Sequence, residues 1–193
     1  MAPRITWNSN NIDLTIGSDG LQVVFGAQAN QNRSGSGKIE TLLMYNFGEA
    51  ILFDAYFQEA VKNSLIAFWA WAEQGNVFSF AKDSAEVSST TLDGAAAAAQ
   101  KVVPVTATTG LAAGDVCLIR SADRSKYEVL TVDTVSSGVS ITATTNLLYT
   151  YASGDMFRHM DYWPSLVMPA GEKFNPSQDG GWYRMQFKFL ENL

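Results

Sequence analysis

The sequence predicts a mainly β, α+β protein: a β-sandwich with one flanking α-helix, into which a small all-β barrel or sandwich is inserted. Three observations predict it. Apolar and polar residues alternate cleanly at the end of the chain, where Tyr183, Met185, Phe187 and Phe189 face one way and Trp182, Arg184, Gln186 and Lys188 the other. One stretch carries helical spacing, with Phe57, Val61, Leu65, Phe68, Trp69 and Ala72 recurring at steps of three and four. An aromatic-rich style in the first part gives way to a Val- and Thr-rich style from Lys101 to about Arg158, and returns after His159.

The first third reads as short strands. Residues 5–7 and 12–16 alternate briefly, and residues 21–25 follow a Ser18-Asp19-Gly20 turn. Residues 26–37 are polar and Gly-rich and read as a loop that orders against a neighbour, because they cannot bury apolar surface. Residues 38–47 and 50–53 read as a longer pair of strands around a turn at Gly48. The helix is expected over 57–74, with Gln58, Glu59, Lys62, Asn63, Glu73 and Gln74 between the apolar positions and Gly75 as its stop. Ile66, Phe68, Trp69 and Trp71 crowd its last two turns, so that end is expected to be covered on more than one side. Residues 77–80 resume strand character.

Residues 88–91 and 95–99 form a low-complexity stretch that reads as a boundary. Beyond it, strands are expected at 102–105, 115–120, 127–135 and 140–144, punctuated by Gly110, Gly114, Gly138 and Gly154. Short strands at such spacing indicate a small barrel or sandwich. The organisation that follows is a discontinuous domain, 1–86 with 160–193, carrying an inserted domain at 87–159, since insertions are tolerated at exposed loops with neighbouring ends.

Charged residues make up 17% of the 193 residues and apolar ones 47%. The charged share is below the roughly 25% of ordinary domains, and a surface poor in charge suits packing against a partner. A net charge of -6 with no basic run argues against specific nucleic-acid binding. Arg120, Arg124 and Lys126 lie together but beside Asp123 and Glu128, and read as a solvated hairpin tip. The single cysteine, Cys117, excludes an intrachain disulfide and sits in an apolar strand as an inert thiol. The first residues lack the apolar core of a signal peptide and no run of about 18 apolar residues occurs. The chain is therefore expected to be made in a cytoplasm and to span no membrane.

No catalytic, cofactor-binding or metal-binding set emerges. The one histidine, His159, has no nucleophile near it in sequence, and one His with one Cys cannot make a structural zinc site. The carboxylates Asp115 with Asp123, and Asp83 with Glu86, have the setting of turns. Gly35-Ser36-Gly37-Lys38 lacks the first glycine of a phosphate loop and the hydroxyl residue after the lysine. Trp69 and Trp71 read as helix-covering residues, whereas Trp163 and Trp182 suit either the core or a subunit interface. The chain is not expected to be an enzyme.

Several motifs carry a resemblance. Ser-Gly-Lys-Ile-Glu at 36–40, the helix ending Ala-Phe-Trp-Ala-Trp-Ala-Glu-Gln-Gly, and the following Asn-Val-Phe-Ser-Phe-Ala-Lys-Asp resemble the N-terminal part of phage minor tail and distal tail proteins. The closing Trp-Tyr-Arg-Met-Gln-Phe-Lys-Phe-Leu-Glu-Asn is similar to the last strand of tail-tube-like folds. Gly110-Leu-Ala-Ala-Gly-Asp-Val-Cys-Leu-Ile with Tyr-Glu-Val-Leu-Thr-Val resembles β-modules of phage structural proteins. Together these cover about two thirds of the chain.

The resemblance implies a tail-tube-like β-sandwich and a virion protein of the tail. Copies would join as a ring, commonly of six, linking the tail tube to the baseplate hub around the channel through which DNA passes. An acidic subunit suits such a lumen, because like charge keeps DNA from adhering. Assembly would use edge strands, which a closed ring consumes. The expected interface is the 26–37 loop, including Asn30, Gln31, Asn32 and Arg33, with Lys38, Ile39 and Glu40 and the segment Asp161, Tyr162, Trp163, Pro164. The inserted domain, 87–159, would decorate the outside and touch side fibres or host sugars. The alternatives are a carbohydrate-binding or adhesion β-module on a virion or cell surface, and a tail-tube, tail-terminator or other minor tail protein. The first predicts binding through an exposed aromatic, and the inserted domain offers Tyr127, Tyr149, Tyr151 and Phe157 but no Trp.

Overall fold

The structure is a computed structural model and describes residues 2–33 and 39–192. It is mainly β with one helix. In chain order the elements are β1 (Arg4–Trp7), β2 (Asn10–Asp13), β3 (Thr15–Arg33), β4 (Ile39–Phe57), α1 (Glu59–Ala72), β5 (Phe78–Ala81), β6 (Ser89–Thr91), β7 (Val102–Pro104), β8 (Val116–Arg120), β9 (Tyr127–Ser136), β10 (Ser140–Ala143), β11 (Met156–His159), β12 (Tyr162–Val167), β13 (Ser177–Asp179) and β14 (Trp182–Glu191). Contacts divide the chain into two compact units. One is Ala81–Trp163; the other is Ala2–Phe80 with the chain from Pro164 onward.

The larger unit is built on an eight-stranded sheet in the order β2-β1-β5-β12-β14-β4-β3, with β13 also pairing β14. The alternation read in β14 is what buries Met185, Phe187 and Phe189 and exposes Arg184, Gln186 and Lys188. The apolar stripe of α1 (Leu65, Phe68, Trp69 and Ala72) is buried. Helix and sheet meet ring against ring: Phe68 stands edge-on to Phe78 at 4.9 Å, and Phe53 stacks on Phe80 at 4.8 Å and on Phe187 at 5.2 Å. Glu59 in the first turn suits the helix dipole, and the chain leaves the last turn through Gly75 at φ 80°.

The smaller unit is a six-stranded sheet in the order β6-β11-β8-β9-β10-β7. It curls until its outer strands meet. Leu92 bridges Val105, Asp93 N–H donates to Pro104 O at 3.2 Å, and Thr106 N–H donates to Thr91 O at 2.9 Å. Its core is aliphatic, with Val103, Ile119, Leu130, Val132, Ile141 and Cys117 around Phe157 and Tyr151. Ala96, in the low-complexity stretch read as a boundary, belongs to this core and bridges Tyr151.

Four local expectations are corrected. The polar stretch read as a loop is strand as far as Arg33; its remaining residues lie outside the described ones. Polarity limits what a segment buries, but does not stop its amides and carbonyls from pairing with an adjacent strand. Gly48 lies inside β4 rather than at a turn, and Ser18-Asp19-Gly20 falls where the β3–β4 register shifts between Ile16 and Leu21, as in a bulge. The helix begins at Glu59, because Phe57 is still paired with Tyr183 in the sheet.

Candidate assembly interface

The longest ladder in the molecule joins β3 to β4, each a strand of 19 residues, about 60 Å when fully extended. Only part of it lies in the full sheet. The pairing of β14 with β4 ends at Ala50, opposite Leu190, and Glu49 N–H then donates to Glu191 Oε2 at 3.2 Å. Beyond this point the β3–β4 ladder continues from Gly26↔Phe47 to Arg33↔Ile39. Among the described residues no strand flanks either side of this ribbon, and β3 is the outermost strand of the sheet along its whole length.

The predicted interface residues of this region come together here. Asn30 pairs with Leu42, Gln31 with Thr41, Asn32 with Glu40 and Arg33 with Ile39. Lys38 lies outside the described residues. Asn30–Arg33 and Ile39–Glu40 thus stand opposite each other at one end of a two-stranded ribbon.

The other predicted segment, Asp161 to Pro164, makes contacts within the chain. Lys82 Nζ lies 3.1 Å from Asp161 Oδ2, and Lys82 N–H donates to Asp161 O at 2.9 Å. Tyr162 and Pro164 are half-buried in β12. Trp163, read from sequence as suited to either the core or an interface, is 1% exposed. Its ring lies under the guanidinium of Arg158 at 5.2 Å. Arg158, equally buried, donates from Nη1 to the carbonyls of His159, Met160 and Tyr162 at 2.7–2.9 Å. The charge is satisfied by carbonyls and a ring face. A sequence signal existed in the spacing of Arg158 and Trp163, five residues apart, but a cation–π pair leaves no distinctive pattern.

One juxtaposition has the composition of a nucleophilic site. His159 on β11 pairs with Cys117 on β8, and His159 Nε2 lies 3.5 Å from Asp115 Oδ2. The arrangement does not activate the sulfur. Nε2 is 2.9 Å from Gly110 O and so carries the proton that it donates there, while Nδ1 has no hydrogen-bond partner among the described residues. Burial pushes the Cys117 thiol up to about 12, which keeps it protonated at neutral pH.

The carboxylates weighed from sequence hold turns. Asp115 Oδ2 accepts Ala112 N–H at 2.6 Å, and Asp83 Oδ1 accepts Ala85 N–H at 2.9 Å. Asp123 accepts the Ser121 hydroxyl and both the N–H and hydroxyl of Ser125, which lowers its pKa to about 2. Arg120 departs from the expected solvated tip: it is buried, with Nη2 at 3.7 Å from Met156 Sδ.

No family model matches the chain, and no curated protein is similar to it. The geometry therefore stands alone. Among the described residues no group of three or more His, Cys, Asp or Glu could hold a metal ion, and no helix is long and apolar enough to cross a membrane.

Proposed function

We propose that this chain is a self-assembling structural subunit whose β3–β4 ribbon docks on another copy. The observation that carries the reading is the ribbon itself. An isolated two-stranded hairpin is marginally stable at best in water and needs a third strand or a packed layer. Among the described residues no strand pairs the outer side of β3, the kind of edge that templates pairing with another chain. A second copy supplies both, and repetition of one such contact makes a ring where its rotation closes and a filament where it does not.

The specific form that this reading takes is a ring, of six copies, in a phage tail, between tail tube and baseplate hub. It rests on the sequence resemblance together with the exposed edge. Two of the segments expected to meet a neighbour, 30–33 and 39–40, are paired at one end of the ribbon.

Light scattering over a wide concentration range, with electron microscopy of the product, tests the reading. The intact chain is expected to form a discrete ring or to polymerise. A variant in which residues 26–47 are replaced by a tight Asn-Gly turn is expected to remain monomeric. An intact chain that stays monomeric at every concentration overturns the reading, and so does a shortened variant that assembles like the intact one.

A further inference from the structure

The eight-stranded sheet of the larger unit has a second terminal strand. β2 pairs with β1 alone, from Arg4↔Asp13 to Trp7↔Asn10. Leu14 N–H donates to Pro3 O at 2.8 Å, which continues that ladder. By the alternation of an antiparallel pair, the backbone groups of Asn11 and Asp13 then point away from β1. Among the described residues no strand meets them. Beside this edge lies a groove of about 410 Å³. Asn10, Asn11 and Ile12 of β2 line one side, and Asn63, Ser64 and Ala67 of α1 the other.

No charged side chain lines the groove among the described residues. The outer side of α1 extends this neutral surface. Between Lys62 and Glu73 its exposed positions are Asn63, Ser64, Ile66, Ala67 and Ala70, and Ile66 is 45% exposed. A helix face left in water ordinarily carries charge, whereas charges are depleted where a partner covers the surface. Hydrogen-bonding capacity is also left over. Asn10 spends its NH2 on Asn8 O at 3.0 Å, while the side chains of Asn63 and Ser64 have no partner among the described residues. Trp7, which lines the groove as well, has a buried indole N–H without an acceptor.

We infer that the β2 edge and its groove receive residues 26–32 of β3 from another copy, which rests on the assembly proposed above and names the surface where the ribbon docks. Gly26–Asn32 is seven residues without a charge, and four of them are Gln or Asn. Amides of that kind both donate and accept, as the groove's asparagines do. No described strand covers the outer side of β3. Strand addition joins two such edges through backbone hydrogen bonds, and a groove beside the edge takes the side chains. Charge favours the same match. Copies of net charge -6 repel one another, and a contact between two neutral surfaces brings no carboxylates together. Pairing of β3 with β3 would leave the neutral face of α1 uncovered. Because β2 and β3 end the sheet on opposite sides, each copy gives one edge and receives the other, head to tail.

The test is complementation between two defective chains. Ala67→Glu puts a charge in the groove at an exposed helix position and leaves the ribbon intact. The variant with residues 26–47 replaced by an Asn-Gly turn keeps the groove and lacks the ribbon. By light scattering, Ala67→Glu is expected to need at least about tenfold more protein than the native chain to assemble, and Ala67→Ser to stay within about threefold. An equal mixture of the two defective chains is expected to give a particle of two chains and nothing larger, since one working contact remains. Circular dichroism checks that each variant is folded. Should Ala67→Glu unfold, Asn11→Pro replaces it, because it removes an outward N–H that the β1–β2 ladder does not use. Native assembly that Ala67→Glu or its replacement leaves unchanged overturns the inference while the ribbon reading stands, and so does a mixture in which no pair forms. A native chain that never assembles overturns both.

Discussion

In the Ala81–Trp163 unit the outermost strands, β6 and β7, meet through the Leu92↔Val105 bridge. In the larger unit β3 ends its sheet with an outer side that no described strand pairs, and then runs on with β4 past the end of β14. The interiors differ in the same sense. The smaller unit packs Val, Leu and Ile on a closed sheet, whereas the larger one interlocks the rings of Phe53, Phe68, Phe78, Phe80, Phe187 and Phe189 on an open sheet. A closed sheet has consumed its own hydrogen-bonding edge, so whatever it recognises must be met by side chains. An open sheet can recognise through its backbone, without a conspicuous sequence motif.

The largest effect that can divide the two units is loss of a ring from the larger core. Phe189 is fully buried and meets Phe53, Phe68, Phe78 and Phe187 at centroid distances of 4.7–6.2 Å. Phe189→Ala is expected to cost roughly 3–5 kcal/mol. Trp7, Trp69, Trp71 and Trp182 belong to the same unit, so tryptophan fluorescence during denaturation reports mainly on it. The fluorescence midpoint should fall, while the midpoint for exposure of Cys117, in the other unit, stays in place. Equal shifts in both would show that the units unfold as one body and would remove the basis of the comparison.

The converse variant acts on the smaller unit. Removing the Arg158 guanidinium leaves the carbonyls of His159, Met160 and Tyr162 without that donor and Trp163 without its cation. Arg158→Ala should cost roughly 2–3 kcal/mol, read as a lower denaturant midpoint for thiol exposure. Arg158→Lys is expected to recover only part of it, because an ammonium lacks the planar fork of the guanidinium. A fluorescence shift without a thiol shift would place the Arg158 network's contribution in the wrong unit.

How much of this was legible in the sequence follows the same division. Burial leaves a periodic trace, so β14 and α1 can be read from Met185, Phe187 and Phe189 and from Leu65, Phe68 and Trp69. Backbone pairing leaves almost none. Gly26–Arg33 reads as loop because Gln, Asn and Gly bury little, yet it pairs with Ile39–Phe47 through one register shift between Gln28 and Ala29. Gly48 reads as a turn from its composition, although a long ladder can carry one glycine. The exposed Tyr127 and the buried Tyr151 look alike in sequence, since each stands in a short polar and apolar mixture. Only the curl of the sheet separates them.

Cys117 supplies a subtler test of the closed unit. An unfolded thiol titrates near 9, whereas burial holds the native one at about 12. The folded state therefore favours the protonated form. That contribution is fully present below pH 9 and is lost as pH rises from 9 towards 12, because the unfolded chain can then ionise. Stability of the smaller unit should decline across this window more steeply in the native chain than in Cys117→Ala, with circular dichroism as the readout. At pH 8 a disulfide reagent should label Cys117 only as fast as the unit opens. Rapid labelling of the folded protein would contradict the sealed core.

The smallest expected effect concerns the 121–125 turn. Asp123 is exposed, and hydrogen bonds from the Ser121 hydroxyl and from Ser125 hold its carboxyl at about 2 instead of near 3.8. A depressed native pKa means that the charged form stabilises the fold above the unfolded value, and that this is lost as pH falls from about 4 towards 2. Asp123→Asn keeps the shape and one acceptor but removes the charge. The stability difference between native chain and variant should be measurable at pH 5 and should shrink towards pH 2, as the Asp123 carboxyl takes up its proton. A difference that does not change with pH would assign the turn to its geometry alone. The turn would then be held by backbone hydrogen bonds such as Arg124 N–H to Ser121 O at 2.9 Å.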